Sequence, residues 1–168
     1  LSHNWKHGQA KMRIVKERLR EMLPGASIFL DVDNLGGGSD HPHIDVSEYV
    51  LCFCTYNWFT NSPCLREVVR AVLRKKPIIL LLEPDTSEIH GGFTEAECRK
   101  IIRGEKLLNG PGGAKSFAER LEGQRAAVEQ WAKEWAEPVA FPTVEEVERA
   151  LFASAPIIWS PLADIQDV

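Results

Sequence analysis

Glu67 is the residue whose position most suggests chemistry. It follows "NSPCLR" (61–66), which has the form of a helix start. Ser62 reads as the cap and Pro63 as the first helical residue, where a missing N–H costs nothing. Leu65, Val68, Val69, Val72 and Leu73 then recur at helical spacing and make one apolar stripe. A capping-box carboxylate would fall at Leu65, so Glu67 does not serve the helix start. At about 100° per residue it also points away from the stripe. Two uses are open to such a carboxylate: an ion pair with Arg70 three positions on, or stabilisation of positive charge in a cleft.

Other groups invite weaker readings. Asp31, Asp33, His41 and His43 surround a glycine-rich stretch, "DNLGGGSDHPH" (33–43). They suit a metal on residue type alone, and a hydrated loop explains them with fewer assumptions. Gly36, Gly37 and Gly38 would let backbone N–H groups approach a phosphate, but the spacing is neither a dinucleotide fingerprint nor a P-loop. Cys52 and Cys54 alternate within "YVLCFCTY" and share one strand face. With Cys64 and Cys98 they read as small buried thiols rather than metal ligands.

The elements that must position Glu67 alternate along the chain. Leu1-Ser2 reads as the end of a first strand. "GQAKMRIVKERLREML" carries Met12, Val15, Leu19 and Met22 on one helical face and is closed by Pro24-Gly25. "SIFLDV" (27–32), "EYVLCFCTY" (48–56), "KPIILLLEP" (76–84) and "APIIWS" (155–160) read as four more strands. Capping boxes at Thr94/Glu97 and Thr143/Glu146 open two later helices, and residues 114–136 form a third, weakly interrupted at Gly123. "GPGG" (110–113) is a loop. Strands alternating with helices predict an α/β fold: a flavodoxin-like, five-stranded parallel sheet with helices on both faces, forming a single domain over 1–168. Ligands of such sheets bind beyond the carboxyl ends of the strands, which selects residues 2–5, 33–38 and 56–67.

The 168 residues, 44% hydrophobic and 26% charged, are ordinary globular composition. A net charge of -4 and a pI near 5.8 give no basic footprint for nucleic acid or an anionic membrane. The basic residues at 66–76 alternate with apolar helical positions and read as a solvated face. No apolar run approaches the roughly 20 residues of a membrane span. Free thiols point to a reducing compartment, hence a cytoplasmic location. The opening "LSHNW", without an initiator Met, and the ending "SPLADIQDV" read as a segment cut from a larger protein, with the first strand and last helix truncated.

Over residues 1–84 the chain resembles the Toll/interleukin-1 receptor (TIR) domain family. "LSHNW" is similar to the family's first box, "SIFLDVDNLGGG" to its second strand and the loop that follows, and "YNWFTNSPCLREVVRAV" to the segment where a Ser-x-x-Cys-Leu-x-Glu pattern opens the helix after the third strand, with Cys-Leu-x-Glu the specific part of the match. Part of this family cleaves NAD⁺, and the resemblance implies that Glu67 is the catalytic carboxylate. It also implies a nucleotide held near Ser2, His3, Asn4, Trp5, Asp33, Leu35, Gly37, Trp58 and Cys64. NAD⁺ is then the substrate, with no further cofactor and no metal. Nicotinamide leaves as a neutral molecule, so no acid is needed to protonate it, and one anion beside the ribose suffices to stabilise an oxocarbenium-like transition state. Trp5 or Trp58 would stack on the cationic pyridinium.

The sequence departs from the family at two positions. Pro63 stands where NAD-cleaving members usually carry an aromatic residue, a ring that Trp58 or Phe59 is expected to replace. Asn4 stands where many members carry a basic one. The family also implies self-association or contact with other TIR domains, with the glycine-rich loop helping to make it. The competing function is a non-catalytic TIR interaction module in signalling. A receiver-type phosphoacceptor is set aside because its Asp is missing at Thr55-Tyr56.

Overall fold

The structure, a computed structural model, describes residues 1–30 and 42–159. Strands β1 (Ser2–His3), β2 (Val50–Cys54), β3 (Ile78–Leu82) and β6 (Ile157–Ile158) lie side by side in that order, all parallel. A separate antiparallel hairpin joins β4 (Leu108–Gly110) to β5 (Gly113–Lys115). Its turn needs backbone conformations that L side chains avoid: Gly112 and Gly113 have φ of 82° and 89°. The α/β class and the parallel sheet agree with the sequence reading. The hairpin was not anticipated, because three-residue strands around "GPGG" carry no alternating apolar pattern.

The expected strand at 27–32 is not paired within 27–30, and residues 31–32 lie outside the described residues. That segment still meets the sheet: the Leu1 amino group donates to the Phe29 carbonyl at 2.8 Å, and Leu30 packs with Phe53 and Leu81. Five strands in one sheet therefore become four among the described residues.

Parallel strands need crossovers, and helices supply them. On one face lies α1 (Trp5–Met22), whose Met12 packs with Leu30, Phe53 and Leu81. The other face carries the larger core, where Val50, Cys52 and Cys54 of β2 meet Leu65, Val68 and Val69 of α4 (Ser62–Leu73). Around α4 stand α2 (Pro42–Val46), α3 (Tyr56–Thr60), α6 (Phe117–Glu122) and α8 (Val144–Leu151). Helices α5 (Glu95–Ile102) and α7 (Arg125–Glu134) complete the described chain. The capping boxes at Thr94/Glu97 and Thr143/Glu146 are formed, and a third, at Ser116/Glu119, opens α6. It moves the start of the expected 114–136 helix to Phe117, because residues 113–115 are committed to β5, and the expected interruption at Gly123 divides the rest into α6 and α7.

The cap of α4 sits one residue earlier than expected. Asn61 Oδ1 accepts from the Cys64 N–H at 3.1 Å, while the Ser62 hydroxyl donates to Gln124 Oε1 at 3.2 Å. An amide oxygen is at least as good a cap as a hydroxyl, which frees Ser62 for the contact with the segment after α6.

The basic stretch at 66–76 is not simply a solvated face. Arg70 is buried, with its guanidinium 5.0 and 5.1 Å from the rings of Trp131 and Trp135, which stack on each other. Its Nε and Nη2 donate to the two carboxylate oxygens of Asp45 at 2.8 and 2.7 Å. This bidentate pair joins α2 to α4, and the indoles seal it. Burial alone would raise the Asp45 carboxyl; hydrogen bonds and charge from Arg70, helped by Arg74, outweigh it and hold Asp45 below its ordinary value. Replacing Arg70 with Met strands Asp45 and should cost about 2–3 kcal/mol, below the ~3–5 of a fully buried pair because Asp45 keeps some water. Asp45 has the lower proton affinity in the folded state, so its contribution is present above the unfolded pKa. It is lost as pH falls below about 4. Urea titrations across that range should show a steeper acid loss for the parent chain than for Arg70→Met.

Candidate active site

β1 and β2 run in register, Ser2 beside Cys52 and His3 beside Phe53, so both release the chain at one end of the sheet. Ser2 ends up under α3, where its Oγ accepts from Trp58 Nε1 at 3.1 Å and also bonds the Cys52 thiol. Burial pushes that thiol up to about 12, and the neighbouring Glu67 charge adds to the rise. Ser2, Cys52, Trp58 and Glu67 thus converge where β1, β2 and α4 meet. Glu67 itself is only 3% exposed. The side of α4 that carries Glu67 is not solvent, and β1 and α2 both pack against this helix. The expected surface pair with Arg70 is therefore corrected, since Arg70 is directed to Asp45 and the two indoles. A carboxylate kept out of water is costly to the fold, and such groups concentrate where a protein does chemistry.

The remaining expected site residues divide into three sets. His3 is buried, with Nε2 2.7 Å from Gln9 Oε1. Asn4 caps α1 by accepting from the Lys6 N–H at 3.0 Å. Cys64 is buried in the first turn of α4. Trp58 is fully buried and packed edge-on against Phe59, itself in the core, so neither ring offers a face to a ligand. Of the two rings expected to stack on a ligand, Trp5, 56% exposed at the start of α1, is the one that presents a face. Asp33, Leu35 and Gly37 lie outside the described residues, as do Asp31 and His41 of the metal reading. Among the described residues no group of His, Cys, Asp and Glu is arranged to hold a metal.

No family model matches this chain, and neither does a curated protein or a solved structure. The site must therefore be argued from its own geometry.

A second charged group, unmarked by any spacing rule, lies after β3. Glu83 is buried, and Lys11 of α1 donates both to its Oε2 and to His90 Nδ1, the latter at 2.8 Å. On its other side His90 Nε2 stands 3.6 Å from Asp85 Oδ2. The backbone closes tightly here: a Cβ on Gly92 would stand 2.2 Å from the Glu83 carbonyl oxygen. The one sequence signal was a Glu closing an otherwise unbroken apolar strand.

Two outcomes follow from these geometries. Lys11→Met should destabilise the chain by about 3–5 kcal/mol by stranding Glu83, and adding Glu83→Leu should recover most of that in a urea double-mutant cycle. All four cysteines are buried, with Cys52 and Cys98 pushed up to about 12 by burial first. A thiol reagent at pH 8 should therefore label none of the four in the native protein and all of them in denaturant.

Proposed function

We propose that this chain is a TIR-type NAD⁺ glycohydrolase with Glu67 as its catalytic carboxylate. The observation that carries the reading is a buried carboxylate on α4, beside Cys52 of β2, on the helix that starts beyond the carboxyl end of that strand, the side of a parallel sheet where ligands bind. The corresponding fold is flavodoxin-like. Residues 27–30, tied to Leu1 through Phe29, would be the edge strand that completes five, outside β1.

In the proposed reaction the bond between the ribose C1′ and the pyridinium nitrogen breaks. Its electron pair returns to nicotinamide, which leaves neutral. Positive charge develops on the ribosyl C1′ and ring oxygen, and Glu67 stabilises it while accepting hydrogen bonds from ribose hydroxyls. Water adds to C1′ and gives up a proton, yielding ADP-ribose; attack by the adenine ring in place of water yields a cyclic form. Glu67 is closed off in the isolated chain, so turnover requires a rearrangement above β1 and β2, which self-association would supply.

One observation favours the second reading, a non-catalytic TIR interaction module: Trp58 and Glu67 are both buried. NMR detection of nicotinamide distinguishes the two. At high protein concentration the parent chain should release nicotinamide from NAD⁺, with a rate per molecule that rises with concentration. Glu67→Gln should lower turnover by about 10²-fold or more. No release from a folded, self-associated sample would leave the interaction module standing.

A further inference from the structure

The chain between β3 and α5 folds back on itself. Phe93 N–H donates to the Glu83 carbonyl at 2.9 Å and Gly92 N–H to the Asp85 carbonyl at 2.7 Å, which closes a neck. Inside it, the His90 and Gly91 N–H groups both reach the Ser87 carbonyl, at 3.1 and 2.6 Å, and Ser87 N–H reaches Asp85 Oδ1 at 2.9 Å. Asp85 and His90 therefore ride on one small folded unit. Two contacts tie this unit to neighbouring helices. The Gly91 carbonyl accepts from the N–H of Tyr56, the first residue of α3, at 2.6 Å, and His90 Nδ1 meets Lys11 Nζ of α1 at 2.8 Å.

The two ring nitrogens of His90 face opposite charges. Lysine's ammonium has donors only, so its contact with Nδ1 needs that nitrogen unprotonated. On the other side Nε2 stands 3.6 Å from Asp85 Oδ2, just beyond hydrogen-bond reach. Hydrogen bonds from Ser87 hold the Asp85 carboxyl below its ordinary value, so Asp85 is an anion throughout the range in which imidazoles take up a proton. The other charged groups around the unit are already engaged. Glu83 is bound by Lys11 and accepts the Asp85 N–H at 3.0 Å. Tyr56 of α3 spends its hydroxyl on the Asn109 carbonyl, and Lys106, over the Phe93 ring, is paired with Glu97 of α5.

We propose that His90 is a proton-operated switch that ties residues 85–91 to α1 when neutral and to their own Asp85 when charged. A proton on Nδ1 sets a second cation against Lys11 and strengthens the attraction to Asp85. A ring displacement of roughly 1 Å then exchanges a bond between loop and helix for one within the loop. Lys11 stays on Glu83, so the buried pair survives and the loop alone is released from α1. The release bears on α3, because the Gly91 carbonyl holds the first N–H of that helix. None of this uses Glu67.

The test is amide hydrogen exchange of the full chain, followed by NMR between pH 8 and pH 5, with each rate corrected for the intrinsic pH dependence. The Tyr56 N–H should lose protection by about tenfold in acid, while the amides of β2 keep theirs. His90→Asn keeps an acceptor near the Nδ1 position and cannot titrate, so its Tyr56 N–H should stay protected throughout. Asp85→Asn should need more acid for the same loss, because the charged ring then lacks its second partner. Side-chain signals of the parent chain give a reading that needs no variant: Lys11 Nζ should shift together with the His90 ring nitrogens. Unchanged Tyr56 protection in the parent overturns the inference. So does an acid loss that His90→Asn shares in full, or a Lys11 Nζ signal that stays still while His90 takes up its proton.

Discussion

Parallel pairing of β2 between β1 and β3 decides what every other element can do. Side chains alternate across a pleat, so a slip of one residue would exchange the two faces of the strand. In the observed register Val50, Cys52 and Cys54 face the α4 core, and Phe53 faces the α1 core with Met12 and Leu81. β1 and β2 end together, so α1 starts directly after β1 while α3 carries the chain from β2 to the start of α4. That geometry brings the Asn4 and Asn61 caps into the wall of one cavity and sets Ser2, Trp58 and Glu67 around Cys52.

Charge is handled at the margins of these cores. Arg70 and Asp45 form a planar, bidentate pair shielded by two indoles, which locks α2 and α4 to α7. Lys11 and Glu83 do the same between α1 and the end of β3. Such pairs contribute more to fixing geometry than to net stability, since desolvation offsets most of the attraction. They hold the two crossover helices in place on either side of the cleft end, which preorganises whatever chemistry occurs there.

The sequence made the architecture legible wherever a segment was apolar and continuous. Residues 78–82 had one plausible state, and Thr94/Glu97 and Thr143/Glu146 announced helix starts through a mechanism that is entirely local. Legibility failed where tertiary partners decide. Nothing local shows that Arg70 has Trp131 of α7 and Trp135 at its C-cap beside it, or that Glu67 is buried where β1 and α2 pack against α4. Trp58 looked like a ligand platform because it follows a strand end, yet its ring fills the core and only its N–H is used. Glu67 was identifiable as a carboxylate with no role in starting its helix. Its burial depends on neighbours more than ten residues away in sequence and was not readable.

The central claim is that Glu67 meets the ribose of NAD⁺. A crystal structure with a carbocyclic NAD⁺ analogue, whose nicotinamide cannot leave, tests it most directly. The account predicts a Glu67 carboxylate oxygen within hydrogen-bond reach of a ribose hydroxyl, roughly 2.6–3.2 Å, with the nicotinamide-bearing carbon beside it. An analogue bound elsewhere, with Glu67 still sealed between β2 and α4, would contradict it.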